Sequence, residues 1–599
     1  MNTTNVLSVG KRKLSTRALA LIGVSAFALT IALIYLQENV RGKLAWDAYK
    51  NRSEAKGKSL DWAKHIPPEV EEDLNIYKAP GMRGMIKSEG RNPRKSLGAG
   101  NGQITQIEPQ SPVANYVVAR VDPVTNHIVA QVYILEADRT APADALQVAS
   151  VNEIATALAK RGRILSGASG IRLCNANLIK PVPLKFGLKS SNDIFKQLQS
   201  DLKDFGVRNT DVNRIEVYID TVYTAEEYLK AYESQKTHFD QLATALKRPY
   251  ARMDGDYTNP AFVPIQNFVV LRTIAQTLGQ VAQSYILLSK PQEALQALTL
   301  MHEMERLITA LPSSKVPTVI ASMINVAIKG LYVAIIADGQ DLGVWGEADM
   351  VLLQKQFEQV DLIPLVRRSL EFERIAVSNA SQMTPLDDIF MMSGSIKNTS
   401  PSQTQSFFRK LVYNPLTTLK ESMHPENAKR HLYRSLPKGW LLQNVVRYCE
   451  LMEEQIAAFS LGAPGVRPTA IDDQSEKLLK QIDRFSPYIY LARTAIPNFQ
   501  KAMKTATLQQ TMIQLANVSL ALERYHLATG KYPETLESLS PSYLKTVPLD
   551  LITGAPPIYR LTENGSYLLY GLGWNEKDDG GQGGNNVMSS DWVWNPERN

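Results

Sequence analysis

Hydrophobic and polar positions divide this chain unevenly. Ala18 to Leu36 reads ALALIGVSAFALTIALIYL, a run without a charged residue. As a helix rising about 1.5 Å per residue, it is long enough to cross a hydrocarbon core of about 30 Å. The pattern predicts a transmembrane helix over 18–36 behind a cytoplasmic tail, 1–17. Lys11, Arg12, Lys13 and Arg17 precede the run with no acid among them, and such a flank stays on the cytoplasmic side. The bulk of the chain is then expected to be exported. Ala26-Phe27-Ala28 has the small-x-small form of a signal-peptidase site. The apolar run nevertheless continues through Ile31, Leu33, Ile34 and Leu36, which favours an uncleaved anchor.

Residues 37–79 read as a connector. Gln37 to Lys58 is a polar helix leaving the membrane, with Trp46 and Tyr49 expected in the headgroup zone. Pro67 and Pro68 then disfavour helix and predict an extended segment, with His65 a lone surface group. Residues 80–250 suggest a small α+β region. Gly81 to Gly102 is a basic, glycine-rich loop with no Lys-Ser or Lys-Thr pair to make it a phosphate loop. YVVARVDPVTNHIVAQVYIL carries two valine- and isoleucine-rich runs about a turn, a pair of strands. RIEVYID, Arg214 to Asp220, is a further strand between helices expected at Ala143 to Arg161 and Ala225 to Lys247.

From 251 to 510 the period turns helical. Leu271, Ile274, Leu278, Val281, Tyr285 and Leu288 share one face, and Ser289-Lys290-Pro291 separates that helix from the next. Val319 to Ala337 is apolar enough to resemble a second span, but Lys329 and Asn325 make it a core helix, since a central lysine costs about 2.5–3.5 kcal/mol on insertion scales. Further helices are expected at Glu347 to Val360, Pro364 to Ser378, Trp440 to Phe459, Gln474 to Phe485 and Asn498 to Thr529. A Ser/Thr-rich linker, Ser393 to Ser406, interrupts them.

Composition adds limits. Of 599 residues, 44% are hydrophobic and 21% charged, as in ordinary globular chains, and the net charge of +7 is scattered rather than gathered into a nucleic-acid module. No nucleic-acid partner is expected. Cys174 and Cys449 lie far apart and are expected to be unpaired thiols without metal spacing. Met301-His302-Glu303-Met304-Glu305-Arg306 starts like a zinc-protease helix but has Arg306 where the second histidine is needed, and it reads as a helix surface. Gly167-Ala168-Ser169-Gly170 lacks the spacing of a nucleophile elbow. No catalytic residues are assigned. A site assembled only by folding, in a periplasmic enzyme, is the alternative.

The C-terminal stretch, 511–599, is distinctive. A helix ends near Gly530, Tyr532-Pro533 turns the chain, Leu536 and Leu539 mark a short amphipathic turn, and IYRLTENGSYLLYG predicts a hairpin about Asn564-Gly565. ALERYHLATGKYPETLESL, VPLD, TGAPPIY and YLLYGLGWNEKDDGG resemble the C-terminal domain of type II secretion major pseudopilins, in that family's order. The whole chain also resembles large single-anchor bacterial envelope proteins with an LDWxxxIPPxV connector and a segment like Gly346 to Ile375.

These resemblances imply an inner-membrane protein with its bulk in the periplasm, acting as a structural or interaction component beside envelope or secretion proteins. A minor pseudopilus-associated subunit is a further alternative. The expected fold class is α+β and predominantly helical, with one N-terminal transmembrane helix and a small C-terminal β-hairpin module. The tail GLGWNEKDDGGQGGNNVMSSDWVW also offers Asn575, Asp578, Asp579 and Asp591 with many free carbonyls and four glycines. Calcium takes about six to eight oxygen ligands, so these four residues are candidate Ca2+ ligands. In the pseudopilins the corresponding loop binds calcium, and Asn575 stands where that family has an aspartate.

Overall fold

The computed structural model describes residues 16–82, 107, 114–120, 131–136, 147–148, 165–166, 172–174, 216–260, 263–383, 436–459, 465–480, 488–563, 565–584 and 590–594. Its first element, α1 (Thr16–Ala55), is one unbroken helix. The apolar half is bare: Leu21, Val24, Phe27, Leu29, Leu33 and Leu36 are all exposed. In the polar half Glu38, Gly42, Trp46, Tyr49 and Ser53 are buried, a stripe at spacings of three and four that faces the body. Trp46 and Tyr49 therefore do not sit in the headgroup zone. Both are core side chains, 7% and 3% exposed. The connector that follows carries three short 3-10 turns, with Pro67 to Glu71 free of helix between the first two, and Trp62 within it is buried. His65 is half-buried beside Trp62, with ring centroids 6.4 Å apart, and is not a free surface group.

A sheet of six strands comes next among the described residues, from β1 (Ala114–Arg120), β2 (Gln131–Glu136), β3 (Gln147–Val148), β4 (Leu165–Ser166), β5 (Arg172–Cys174) and β6 (Glu216–Thr224). Its order is β3-β2-β1-β6-β5-β4, antiparallel throughout except between β5 and β6. The strand pair and the RIEVYID strand thus form neighbours in one sheet. Gln147–Val148 is a strand where a helix was expected, because it extends the edge beside β2; the rest of 143–161 lies outside the described residues, as do the Gly-rich loop from 83 and the Ser/Thr-rich linker. The helix expected over 225–247 is two, α2 (Ala225–Tyr232) and α3 (Lys236–Ala245), with a turn between them.

The helical body consists of α4 (Phe268–Leu287), α5 (Pro291–Glu303), α6 (Arg306–Thr309), α7 (Val319–Asp341), α8 (Glu347–Phe357), α9 (Leu362–Met383), α10 (Lys438–Ala458), α11 (Pro468–Lys480) and α12 (Tyr490–Thr529). Local chemistry sets their ends. Asn267 accepts from Val269 N at 3.1 Å, Thr318 accepts from Ala321 N at 3.2 Å, and Pro291 occupies a first turn that needs no amide donor. Helix α7 is a core helix: thirteen of its residues, Lys329 and Asn325 among them, are buried. Ser322 Oγ meets Ser369 Oγ of α9 at 2.6 Å.

Helix α12 runs through residue 511 into the C-terminal unit, ending at Gly530, whose φ of 76° needs no Cβ. A second sheet follows, with β7 (Ile558–Leu561), β8 (Tyr567–Leu572), β9 (Gly583–Gly584) and β10 (Asp591–Val593) in the order β7-β8-β10-β9. The hairpin is as expected, but its last strand pair is Leu561 with Tyr567, so the turn is wider than a two-residue one. One contiguous hydrophobic core reaches from Trp46 to Trp594.

Candidate functional site

Three arrangements stand out, and the first joins α1 to the body. Helices α1 and α10 run side by side in the same direction: Gly439 N donates to Asn39 Oδ1 at 2.9 Å, Gln443 Nε2 donates to Glu38 Oε2 at 3.1 Å, and Arg52 meets Glu450 at 2.8 Å further along. The crossing is backbone on backbone. A Cβ on Gly42 would stand 2.3 Å from Gly439 Cα, and one on Gly439 would stand 1.8 Å from Glu38 O, so only glycine fits either position. Above the crossing, Tyr49 OH donates to Glu453 Oε1 at 2.6 Å while Arg374 Nη1 of α9 donates to both, at 2.6 and 3.2 Å. The Arg374 and Glu453 charges pair with each other, as burial demands, while Arg374 Nε stays buried without a hydrogen-bond partner. Cys449 packs beside them as a free buried thiol, and burial pushes it up to about 12, far from a reactive thiolate.

The second arrangement is the C-terminal loop between β8 and β10. The four candidate ligands lie on this loop and on β10, linked by hydrogen bonds in which Asp591 reaches the backbone of Asp579 and Asn575 reaches its side chain. Asn575 Nδ2 donates to Asp579 Oδ2 at 2.7 Å. Asp578 Oδ1 accepts from Tyr570 OH and Gly580 N, both at 2.9 Å, which hold its carboxyl below the usual range. Asp591 is fully buried on β10, and its Oδ2 accepts from Asp579 N at 3.0 Å and Gly581 N at 2.9 Å. Its Oδ1 is buried with no hydrogen-bond partner, and burial raises the pKa of this carboxyl, with the Asp579 and Asp578 charges adding to the shift. An orphaned carboxylate oxygen is the kind of ligand a hard cation takes. Among the described residues, no three His, Cys, Asp or Glu side chains converge as a metal-ligand group.

The third is buried in the body, where sequence reasoning placed a helix surface. His302 on α5 is only 5% exposed, because α7 lays Lys329 over it. The three ammonium hydrogens of Lys329 have three acceptors: Glu305 Oε2 at 2.8 Å, His302 Nδ1 at 2.9 Å and His302 O at 3.1 Å. Nδ1 accepts, so the imidazole carries its proton on Nε2, which faces Gln359 Oε1 at 3.4 Å. Burial and the Lys329 charge pull His302 down to about 4. Burial also lowers Lys329, and Glu305 opposes that shift. The set is closed and internally balanced.

A shallow cleft beside the connector is walled by Trp62, Tyr257, Phe372, Pro264 and Pro317. Its polar groups are engaged within the fold: Trp62 Nε1 donates to Tyr257 O at 2.8 Å, Gln266 Nε2 to Leu307 O at 3.1 Å, and Lys315 Nζ to Lys64 O. Burial lowers the His65 imidazole there.

No protein-family model matches the chain, and neither a characterised protein nor a solved structure is detectably similar to it. Sequence reasoning did not find Gly42, Gly439, Arg374 or Glu453, whose partners lie from 79 to some four hundred positions away. The one local signal was the spacing of Glu38, Gly42, Trp46, Tyr49 and Ser53.

Proposed function

We propose that the chain is a single-span inner-membrane protein whose exported body serves as a structural or interaction component of the bacterial cell envelope. One observation carries this reading: α1 passes without a break from a bare apolar half into a half sealed to the body. A signal peptide cut after Ala28 would leave Leu29, Leu33 and Leu36 bare at a new N-terminus, whereas a retained helix gives them lipid. The order of helix, prolyl loop and hairpin in the C-terminal unit is the order in the pseudopilin domain it resembles, which supports a place beside a secretion apparatus. The chain is expected to stay with carbonate-washed membranes, and a C-terminal tag to be digested by protease in spheroplasts but not in intact cells. A tag protected in spheroplasts would overturn the topology.

The orphaned Oδ1 of Asp591 supports a calcium loop in the same exported unit, with Asp578, Asp579 and Asp591 as carboxylate ligands and Asn575 as an amide ligand. The affinity expected of an extracellular module is of order 10⁻⁴ to 10⁻³ M. Calorimetry on the detergent-solubilised full chain is expected to show calcium heat and a raised melting temperature, both lost on Asp579→Asn with Asp591→Asn. An unchanged melting temperature in the parent chain would remove the site.

A further inference from the structure

The joint between α1 and α10 also sets where the body stands relative to the bilayer, an inference that rests on the single-span reading. Because the two helices run in the same direction and cross at Gly42 and Gly439, the start of α10 lies at the height of Glu38 to Gly42. Glu38 to Gly42 lie two to six positions past Leu36, about 3–9 Å along the axis, a span that takes in the headgroup layer. A headgroup layer is roughly 5–8 Å thick on each side of the hydrocarbon core. The crossing is therefore at headgroup depth.

The groups collected there suit that depth. Trp440 and Tyr488 are half-buried and meet edge to face at 6.2 Å, and the Arg41 guanidinium lies over the Tyr488 ring at 5.3 Å. Lys43 and Lys438 are exposed. The acid in the group, Glu38, is turned inward: its carboxylate accepts from Tyr488 OH and Gln443 Nε2, both at 3.1 Å, and pairs with Arg41 at 3.6 Å. On the flank of α1 away from the body, Val40 and Leu44 are 50% and 65% exposed, apolar side chains at the same depth as these cations. Half-buried aromatic rings, outward basic side chains and uncovered aliphatic groups at one level are the composition of a membrane interface.

We infer that this face of the body rests on the outer surface of the bilayer that α1 spans and engages anionic phospholipid headgroups. Arg41, Lys43 and Lys438 meet the phosphates, and Trp440 and Tyr488 sit among the headgroups, the place expected from sequence for Trp46 and Tyr49. Each basic side chain near an anionic surface contributes roughly fivefold to the preference for that lipid.

The test uses the full chain reconstituted in phosphatidylcholine vesicles with and without phosphatidylglycerol, each lipid in turn carrying bromine on its acyl chain near the carbonyl. Tryptophan emission is expected to be quenched, more by brominated phosphatidylglycerol than by brominated phosphatidylcholine, and Trp440→Phe is expected to remove most of the quenching. Lys43→Gln with Lys438→Gln, which leaves the Glu38, Arg41 and Tyr488 contacts in place, is expected to shrink the difference between the two lipids to the roughly fivefold share of Arg41. Quenching that survives Trp440→Phe, or equal quenching by both lipids in the parent chain, would overturn the inference. Carbonate washing of the same vesicles separates the causes: a resistant chain without Trp440 quenching sinks only the seating, whereas a chain stripped by carbonate sinks the anchor as well.

Discussion

Replacing Asp550 with alanine is expected to lower the stability of the C-terminal unit by about 4 kcal/mol, because it leaves buried amides without an acceptor at about 1–3 kcal/mol each. Asp550 is 4% exposed. Its Oδ1 accepts from Ile552 N and Thr553 N, both at 2.8 Å, and from Thr553 Oγ1 at 3.2 Å; its Oδ2 accepts from Leu572 N of β8 at 3.1 Å. One side chain thus turns the prolyl loop and ties it to the sheet. The fit is tight, since a Cβ at Gly571 would stand 2.4 Å from Asp550 Oδ2. Asp550→Asn should fall between parent and alanine variant, because an amide has one accepting oxygen where the carboxylate uses two. Trp574, Trp592 and Trp594 are buried in this unit, so denaturant titration followed by tryptophan emission registers its unfolding as a transition separate from that of the body. An alanine variant that unfolds with the parent would refute the role.

Glu305→Ala is expected to destabilise the helical body by about 3 kcal/mol, the low end for breaking a buried ion pair, because Glu305 keeps 24% of its side chain exposed while Lys329 has none. Lys329→Met should also destabilise, since it leaves His302 Nδ1 and His302 O without their donor and Glu305 without its counter-charge. The double variant should cost less than the sum of the two, because it removes both charges of the pair together. His302 adds a pH dependence. Its folded pKa of about 4 lies below the ordinary value of 6.5, so the unfolded chain takes up the proton first. This contribution is present above about pH 6.5 and is lost as pH falls through about 4. His302→Gln should flatten that part of the stability profile measured by thermal melting; a profile unchanged by the substitution would show that the imidazole does not titrate there.

The periodic parts of this protein were legible in order of sequence. The apolar run at 18–36, the helices from 268 onward and the strands about 116–135 each announce themselves through short-range spacing, because one face of an element must be buried and chain geometry repeats every two or 3.6 residues. The same applies to Gly530 and the prolyl turns, whose backbone demands are local. The four loop residues Asn575, Asp578, Asp579 and Asp591 were also legible, but only as a set of oxygen donors. That Asp591 lies buried on a strand with a free oxygen depends on β10 pairing with β8.

What lay beyond the sequence were the meetings of distant residues. Whether Trp46 and Tyr49 face lipid or protein turns on α10, some four hundred positions away, which supplies a glycine at the crossing and Glu453 above it. His302 reads as surface until α7 lays Lys329 on it, and Asp550 gains its fourth partner only when β8 docks. A side chain's burial and charge balance are set by what packs over it, and that packing is chosen by the whole chain's core. The sequence by itself determined a bare N-terminal apolar helix and a largely helical body. The tertiary structure decided that this helix continues into the body and is locked there by two glycines and an Arg374-Tyr49-Glu453 network, because close backbone contact and buried charge pairing exist only between elements already brought together.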